Sequence, residues 1–450
     1  MEKADCSITI PKARCLSMFD QMLNRPYWWG AAGLPDTQIA QAPATLPETV
    51  ETLIVGAGYS GLSAALTLAR AGRDVTVIDS DMIGHGCSSR NGGQIGPSFH
   101  KLGLAGLTSA FGAAKATAIL RESMDSLTYL KTLITDEAID CDMQPNAGRF
   151  KGVNQVRQYD ETARSNEDLA KSVGFQFEMV PKAQQSQYIG SDFYHGGAYY
   201  PEDGHLQPAK YVIGLARKAV EVGAKIYAPA RATGVIRDGD GFTVQIAGKT
   251  ISARQVLIAT NGYSGPELPF FHRRIMPLRS AIIATEQLPP DVISSAFPTG
   301  GCIVDSSRLV PYYRPSPDGT RVVFGGRSFD LADRPERYAP DLHRLMVRTF
   351  PQLKSAAVSY AWSGTVAYSF DHAPHLGVHD GLHYVMGYCG SGVGRATYFG
   401  HKAALQMLDD ADGKTALDGL KFPTRPLYSG KPWFLPAVLR WHNFLDRMGR

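Results

Sequence analysis

Between the apolar run Leu53-Ile54-Val55 and the helix-spaced positions Leu62, Ala65, Leu66 and Ala69, the sequence places Gly56-x-Gly58-x-x-Gly61. Each glycine has its own physical reason, since the first allows a tight turn, the second lets backbone approach a pyrophosphate, and the third lets the helix pack closely. Tyr59 and Ser60 then open the helix, whose N-terminus carries partial positive charge toward the anion. Asp79 closes the next β-branched run, Val75-Thr76-Val77-Ile78, with Ser80 beside it. A carboxylate there can accept hydrogen bonds from ribose hydroxyls. Strand, turn, helix, strand and acid together predict a dinucleotide site, against the alternative of a plain glycine turn with a surface aspartate.

The motif serves NAD and FAD alike. After Asp79, however, comes Gly84-His85-Gly86-Cys87-Ser88-Ser89-Arg90-Asn91-Gly92-Gly93-Gln94. This polar loop offers backbone N–H groups, hydroxyls and a guanidinium to a second stretch of phosphate and ring. An NAD-binding unit has no evident need of it. No Ser-His-Asp or Cys-His arrangement is evident. His372, His375, His379 and His383 have a superficial metal-ligand spacing, but Pro374, Gly377 and Gly381 break any helix that would align them, so no metal is expected.

The elements that must position these residues imply an α/β chain with a discontinuous Rossmann-type nucleotide domain of the glutathione-reductase-like kind and a second, β-rich substrate domain. The expected division is a lead-in over 1–49, nucleotide-domain segments at 50–141, 205–262 and 362–425, substrate-domain segments at 142–204 and 263–361, and a packed terminal helix at 426–450. The lead-in carries Tyr27-Trp28-Trp29, expected to pack on the main body. A second strand-turn-helix runs from Leu382-His383-Tyr384-Val385-Met386 through Gly387-Tyr388-Cys389-Gly390-Ser391-Gly392.

With 450 residues the chain exceeds what one hydrophobic core supports. Lys+Arg at 46 against Asp+Glu at 42, with no basic run, argues against a nucleic-acid partner. The six cysteines are scattered without a C-x-x-C pair, which fits a reducing compartment. With neither a signal-peptide pattern nor a stretch able to span a bilayer, the expectation is a cytoplasmic protein.

The polar loop, the interrupted nucleotide domain, Ala259-Thr260-Asn261-Gly262, Phe324-Gly325-Gly326-Arg327, Trp362-Ser363-Gly364, Asp371-His372-Ala373-Pro374 and the Gly387-to-Gly394 segment together resemble the D-amino-acid oxidase superfamily of flavoproteins, most of all its γ-glutamylputrescine oxidase branch. The resemblance implies FAD held between the two domains. By it Ser88, Ser89, Arg90, Asn91, Gly92, Gly93 and Gln94 line the pyrophosphate and ring, Ala232 sits near adenine, Thr260, Gly262 and Gly390 belong to the cofactor site, and Gly392, Val393 and Gly394 open a helix toward the flavin N1–C2 carbonyl edge. Residues 365–369 contain no cysteine, and Arg90 stands where some relatives tether flavin through histidine, so the FAD is expected to be non-covalent. Where sarcosine-oxidase-like members carry a lysine, this chain has Arg327, which leaves oxygen or another acceptor open.

The expected activity is oxidation of the C–N bond of a small amine or amino acid, by hydride transfer to flavin N5 and hydrolysis of the resulting imine. The alternatives are a dehydrogenase of an N-substituted amino acid that passes electrons elsewhere than oxygen, and a non-catalytic flavin-fold subunit. Arg314, Arg327, Tyr313 and His372 are the candidate catalytic residues, with His100, Tyr312 and Tyr368 as further pocket candidates.

Overall fold

The structure, a computed structural model, describes residues 18–35, 39–246, 248–307, 310–327, 333–438 and 440–441. Among them, two eight-stranded sheets carry the architecture.

The first sheet runs His375–His379, Leu382–Met386, Lys249–Ile258, Thr49–Val55, Val75–Ile78, Lys225–Tyr227, and its other two strands, Gly241–Ile246 and Ala232–Asp238, branch from Lys249–Ile258 as a hairpin. Thr49–Val55 pairs in parallel with both Val75–Ile78 and Lys249–Ile258. Its inner strands are nearly continuous apolar runs because both faces are covered: Ile54, Val77 and Leu257 are fully buried in the core that the long helices share, and Leu53 and Val256 in the opposite core with Phe242, Val244 and Ile246. The helices Tyr59–Arg70, Pro208–Glu221, Ala113–Asp136 and Gly392–Met407 pack into one core with this sheet. Gly400 lets two of them cross closely, since a Cβ there would collide with the Ser60 carbonyl.

The second sheet runs Val358–Tyr368, Met276–Thr285, Val322–Arg327, Tyr312–Pro315, Cys302–Asp305, Arg149–Gly152, Gly197–Tyr200, Glu178–Val180. Phe150, Tyr194, Tyr313, Phe324 and Phe350 fill its own core beneath the helix Pro335–Thr349.

One expected boundary falls in the wrong place. The strand Val358–Tyr368 pairs along its length with Met276–Thr285, so residues 362–368 belong to the second sheet. Gly364 lies within this strand against the polar loop, where a Cβ would stand 3.2 Å from that of Arg90. Of the expected terminal helix at 426–450, residues 426–434 form turns and bends instead, residues 435–438 and 440–441 are helical, and 439 and 442–450 lie outside the described residues. No helix among the described residues is long and apolar enough to cross a membrane.

Candidate active site

The first glycine turn behaves as its sequence predicts. Gly56 has φ +113°, and a Cβ there would lie 2.9 Å from the Ala259 carbonyl oxygen. A Cβ on Gly61 would collide with the Gly56 carbonyl, so its place is under the turn and not on the cavity wall. Helix Tyr59–Arg70 starts at Gly58 with no cap from its own N-cap side chain and no acid in its first turn; Tyr59 N donates to Ser88 Oγ at 3.2 Å, and the turn lines the cavity. The Asp79 Oδ2 accepts from Ala57 N at 2.7 Å and Oδ1 from Asp81 N at 3.1 Å. Burial nevertheless dominates and pushes its carboxyl up to about 6.

The polar loop is held mainly by its own side chains and by three indoles. Asn91 Nδ2 donates to the carbonyls of Cys87 and Ser88, and its Oδ1 accepts from Gly93 N at 2.8 Å. Trp29 Nε1 donates to Ser89 Oγ at 2.7 Å, Trp362 Nε1 to Arg90 O at 3.0 Å, and Trp28 Nε1 to Asn91 O at 3.0 Å. Three consecutive loop residues are thereby fixed from the N-terminal segment and from the second sheet. Arg90 lies 4.9 Å from the Trp29 ring and donates to His85 O at 2.7 Å. Gly92 leaves room for the Tyr312 ring, which a Cβ would approach to 2.7 Å.

The second glycine turn supplies another helix N-terminus, Gly392–Met407, preceded by Gly390 at φ +95°. Tyr388 joins the two turns by a 2.6 Å hydrogen bond between its hydroxyl and Ser60 Oγ.

Both turns, Asp79 and the loop line one cavity of about 790 Å³. Of the residues expected to hold a cofactor, Gly56, Gly58, Tyr59, Ser60, Asp79, Ser80, Ser88, Arg90, Asn91, Gly92, Gly93, Gln94, Ala232, Thr260, Gly390, Gly392, Val393 and Gly394 line it. Ser89 is fully buried beneath the loop, and Gly262 packs against Thr365, so neither forms part of the wall. One cavity bearing two helix N-termini and a carboxylate beside the first turn fits a long ligand with a diphosphate, a ribose and a polar ring edge.

The substrate-end expectations need more correction. Arg327 lines the cavity, and its NH2 donates to the Tyr368 hydroxyl at 2.7 Å. Tyr313 does not: it is fully buried in the second core, stacked on Phe324 at 4.9 Å with its hydroxyl bonded to Tyr194. Arg314 shares the Tyr312 face, as strand alternation requires, but lies behind the polar loop. There it is 1% exposed, donates to Leu206 O at 3.1 Å and sits 5.2 Å from the Trp28 ring. His372 is one step removed, edge-on to Tyr368 at 5.9 Å, and His100 is buried with Nε2 at 3.0 Å from Asp371 O. The four spaced histidines do not converge: His375 goes to Asp371 and Phe422, His379 to Phe270, His372 to Tyr368, and His383 is near Asp409.

Lys101 is one of the cavity residues that sequence reasoning missed, since it belongs to no motif. Its Nζ donates to the Tyr368 hydroxyl at 3.1 Å and stands 4.5 Å from that ring. Arg149 and Arg279 also line the cavity; Arg149 pairs with the buried Asp203, and Arg279 with Asp333 at 3.7 Å.

Comparison with known proteins gives a consistent result. The model of the family described as "FAD dependent oxidoreductase" matches residues 51–405. The chain is 30% identical over 414 residues to the probable oxidoreductase OrdL of Haemophilus influenzae, covering 90% of this chain and 94% of that one. It is 30% identical over 410 residues to the gamma-glutamylputrescine oxidoreductase of Escherichia coli, covering 89% and 94%. Among solved structures, glycine oxidase from Geobacillus kaustophilus superposes with a TM-score of 0.70 at 19% identity, over 84% of this chain and 99% of that chain, which shows a shared fold.

Proposed function

The chain belongs to the family of FAD dependent oxidoreductases, and from that premise we propose that it oxidises the C–N bond of a small amine or amino acid, with FAD bound non-covalently along the cavity. FAD, when bound, supplies the hydride acceptor, and the oxidised substrate leaves as an imine that water hydrolyses to a carbonyl compound. The observation that carries this reading is the single cavity, which joins two helix N-termini and Asp79 to a wall of Arg327, Lys101 and Tyr368. In the proposed roles, the turn from Gly56 to Gly61 and the loop at 84–94 hold the diphosphate, and Asp79 and Ser80 the ribose. Ala232 and Thr260 lie toward the adenine half, and Gly392, Val393 and Gly394 face the flavin carbonyl edge.

Arg327, Lys101 and Tyr368 orient the substrate. Relatives support the amine class, since one is named for gamma-glutamylputrescine and a structural neighbour for glycine. The test is anaerobic mixing of the yellow protein with γ-glutamylputrescine, polyamines, N-methyl amines and amino acids. Loss of the flavin's visible absorbance with one of these, and an imine-derived carbonyl product, is the expected outcome. A flavin that stays oxidised across all four classes would sink the amine reading.

A further inference from the structure

Two cations meet on one oxygen in this cavity. Lys101 Nζ and Arg327 NH2 both donate to the Tyr368 hydroxyl, at 3.1 and 2.7 Å. Among the described residues no carboxylate lies within ion-pair distance of Lys101 or Arg327. The nearest acid along the adjoining turn, Asp371, gives its carboxylate to His375 at 3.0 Å. A like-charged pair is relieved when one member loses its proton, and a guanidinium does not. The member that yields is therefore the lysine.

The groups packed around Lys101 do not all act in one direction: Arg327 lowers its ammonium, whereas an ionised Cys389 thiolate would raise it. Arg327 stands on the strand Val322–Arg327, Tyr368 on Val358–Tyr368, His372 on the turn that follows, and Cys389 and Arg395 about the start of Gly392–Met407. Burial raises the Cys389 thiol and lowers His372, so both are held toward their neutral forms and Arg327 is left as the charge that bears on the lysine. Burial first, and Arg327 second, bring the Lys101 ammonium down to about 8. The cluster also borders the second glycine turn, since a Cβ on Gly390 would stand 3.3 Å from the Tyr368 hydroxyl.

We propose that Lys101 is the proton acceptor of this site: its neutral amine takes the proton of a bound substrate ammonium, leaving the substrate nitrogen with the lone pair that hydride departure needs. The substrate N–H bond breaks with its electron pair kept on the substrate nitrogen, a new N–H bond forms on Lys101 Nζ, and that proton later passes to solvent. The proposal rests on the amine reading above.

The experiment has two arms. In the first, anaerobic stopped-flow reduction is followed from pH 6 to 10 with whichever of γ-glutamylputrescine, glycine or an N-methyl amine bleaches the wild-type flavin, using wild type, Lys101→Arg and Lys101→Met. Lys101→Arg, which keeps the charge but cannot accept a proton, should slow reduction at least tenfold at pH 7.5 and move the pH midpoint upward, with the flavin spectrum retained. Imidazole should restore part of the rate to Lys101→Met and none to wild type. In the second, acetic anhydride labelling of Lys101 against pH, read by mass spectrometry without turnover, should give a midpoint near 8 in wild type that rises by roughly one unit in Arg327→Gln. An unchanged rate and pH profile in Lys101→Arg, or a labelling midpoint unmoved by Arg327→Gln, overturns the proposal even where the amine bleaches the flavin. Failure of every amine to bleach it overturns the amine reading instead, while the labelling arm still reports on Lys101.

Discussion

At the scale of single residues, Asp79 serves two ends. It already accepts two backbone N–H bonds that hold the glycine turn, and the proposed ribose contact adds donors that favour its ionised form. With burial holding its carboxyl at about 6, FAD affinity should be full above that pH and weaken as pH falls through it, because the protonated carboxyl is the poorer acceptor. Titration of apoprotein with FAD between pH 4.5 and 8 should show this dependence in wild type and lose it in Asp79→Asn. Asp79→Ala should weaken binding roughly ten- to hundredfold, the equivalent of about 1.5–3 kcal/mol; a pH-independent wild-type affinity would remove the ribose role. Arg314 makes the opposite case. Buried behind the loop, with Nε and NH2 lacking partners and burial lowering it to about 10, it reaches the back of the wall residue Gly93 through NH1 but is not itself among the residues that line the cavity. Replacing a buried charge by an apolar chain of similar volume is often neutral or stabilising, so Arg314→Met should leave substrate affinity unchanged within about twofold. A tenfold loss in that variant would return Arg314 to the substrate site.

At the scale of elements, the loop at 84–94 depends on indoles that lie far away in sequence. Trp29→Phe and Trp362→Phe keep an aromatic ring but remove one N–H each, leaving Ser89 Oγ or Arg90 O short of a donor. A lost hydrogen bond of this kind costs about 0.5–1.5 kcal/mol, so each variant should bind FAD several-fold more weakly and the double variant more weakly still; titration with unchanged affinity in the double variant would show the loop to be self-supporting. These contacts mark where the sequence stops being legible. Gly56, Gly58, Gly61 and Asp79 can be read from it because the strand, turn and helix that carry them are contiguous and each glycine has a local reason. Arg327 is reached through the family resemblance, as the residue standing where some relatives carry a lysine, and it lines the cavity. Tyr313 and Arg314 are misplaced by sequence reasoning because alternation gives the face of a strand and not what covers it: Tyr313 faces its own core, and Arg314 meets the back of the loop. Lys101 is invisible for the same reason in reverse, since its role depends on Tyr368 and Arg327 arriving from distant strands.

At the scale of the whole molecule, the cavity belongs to neither sheet alone. Gly56, Asp79 and Ala232 come from the first sheet and its turns, whereas Tyr312, Arg327 and Tyr368 come from the second. The chain crosses between the sheets repeatedly, and Val358–Tyr368 carries Trp362 back onto the polar loop. A ligand that lies along this cavity touches both halves and binds the folded state alone. Its stabilisation then follows mass action, about 2.7 kcal/mol when free FAD is a hundredfold above its dissociation constant. For a chain of this length the unfolding entropy converts that to a rise in Tm of roughly 3 °C, since about 1 kcal/mol corresponds to ~1 °C at ~450 residues. Calorimetry of the apoprotein with increasing FAD should show the midpoint climbing with the logarithm of FAD concentration and both halves melting together. Gly58→Val, whose side chain would meet Ser88 where the pyrophosphate backbone approach is needed, should fold with an apo midpoint near that of wild type and show no such climb. If the two halves instead melt separately in the presence of saturating FAD, with only one of them moving, the ligand is held by that half alone and the shared cavity is not its seat.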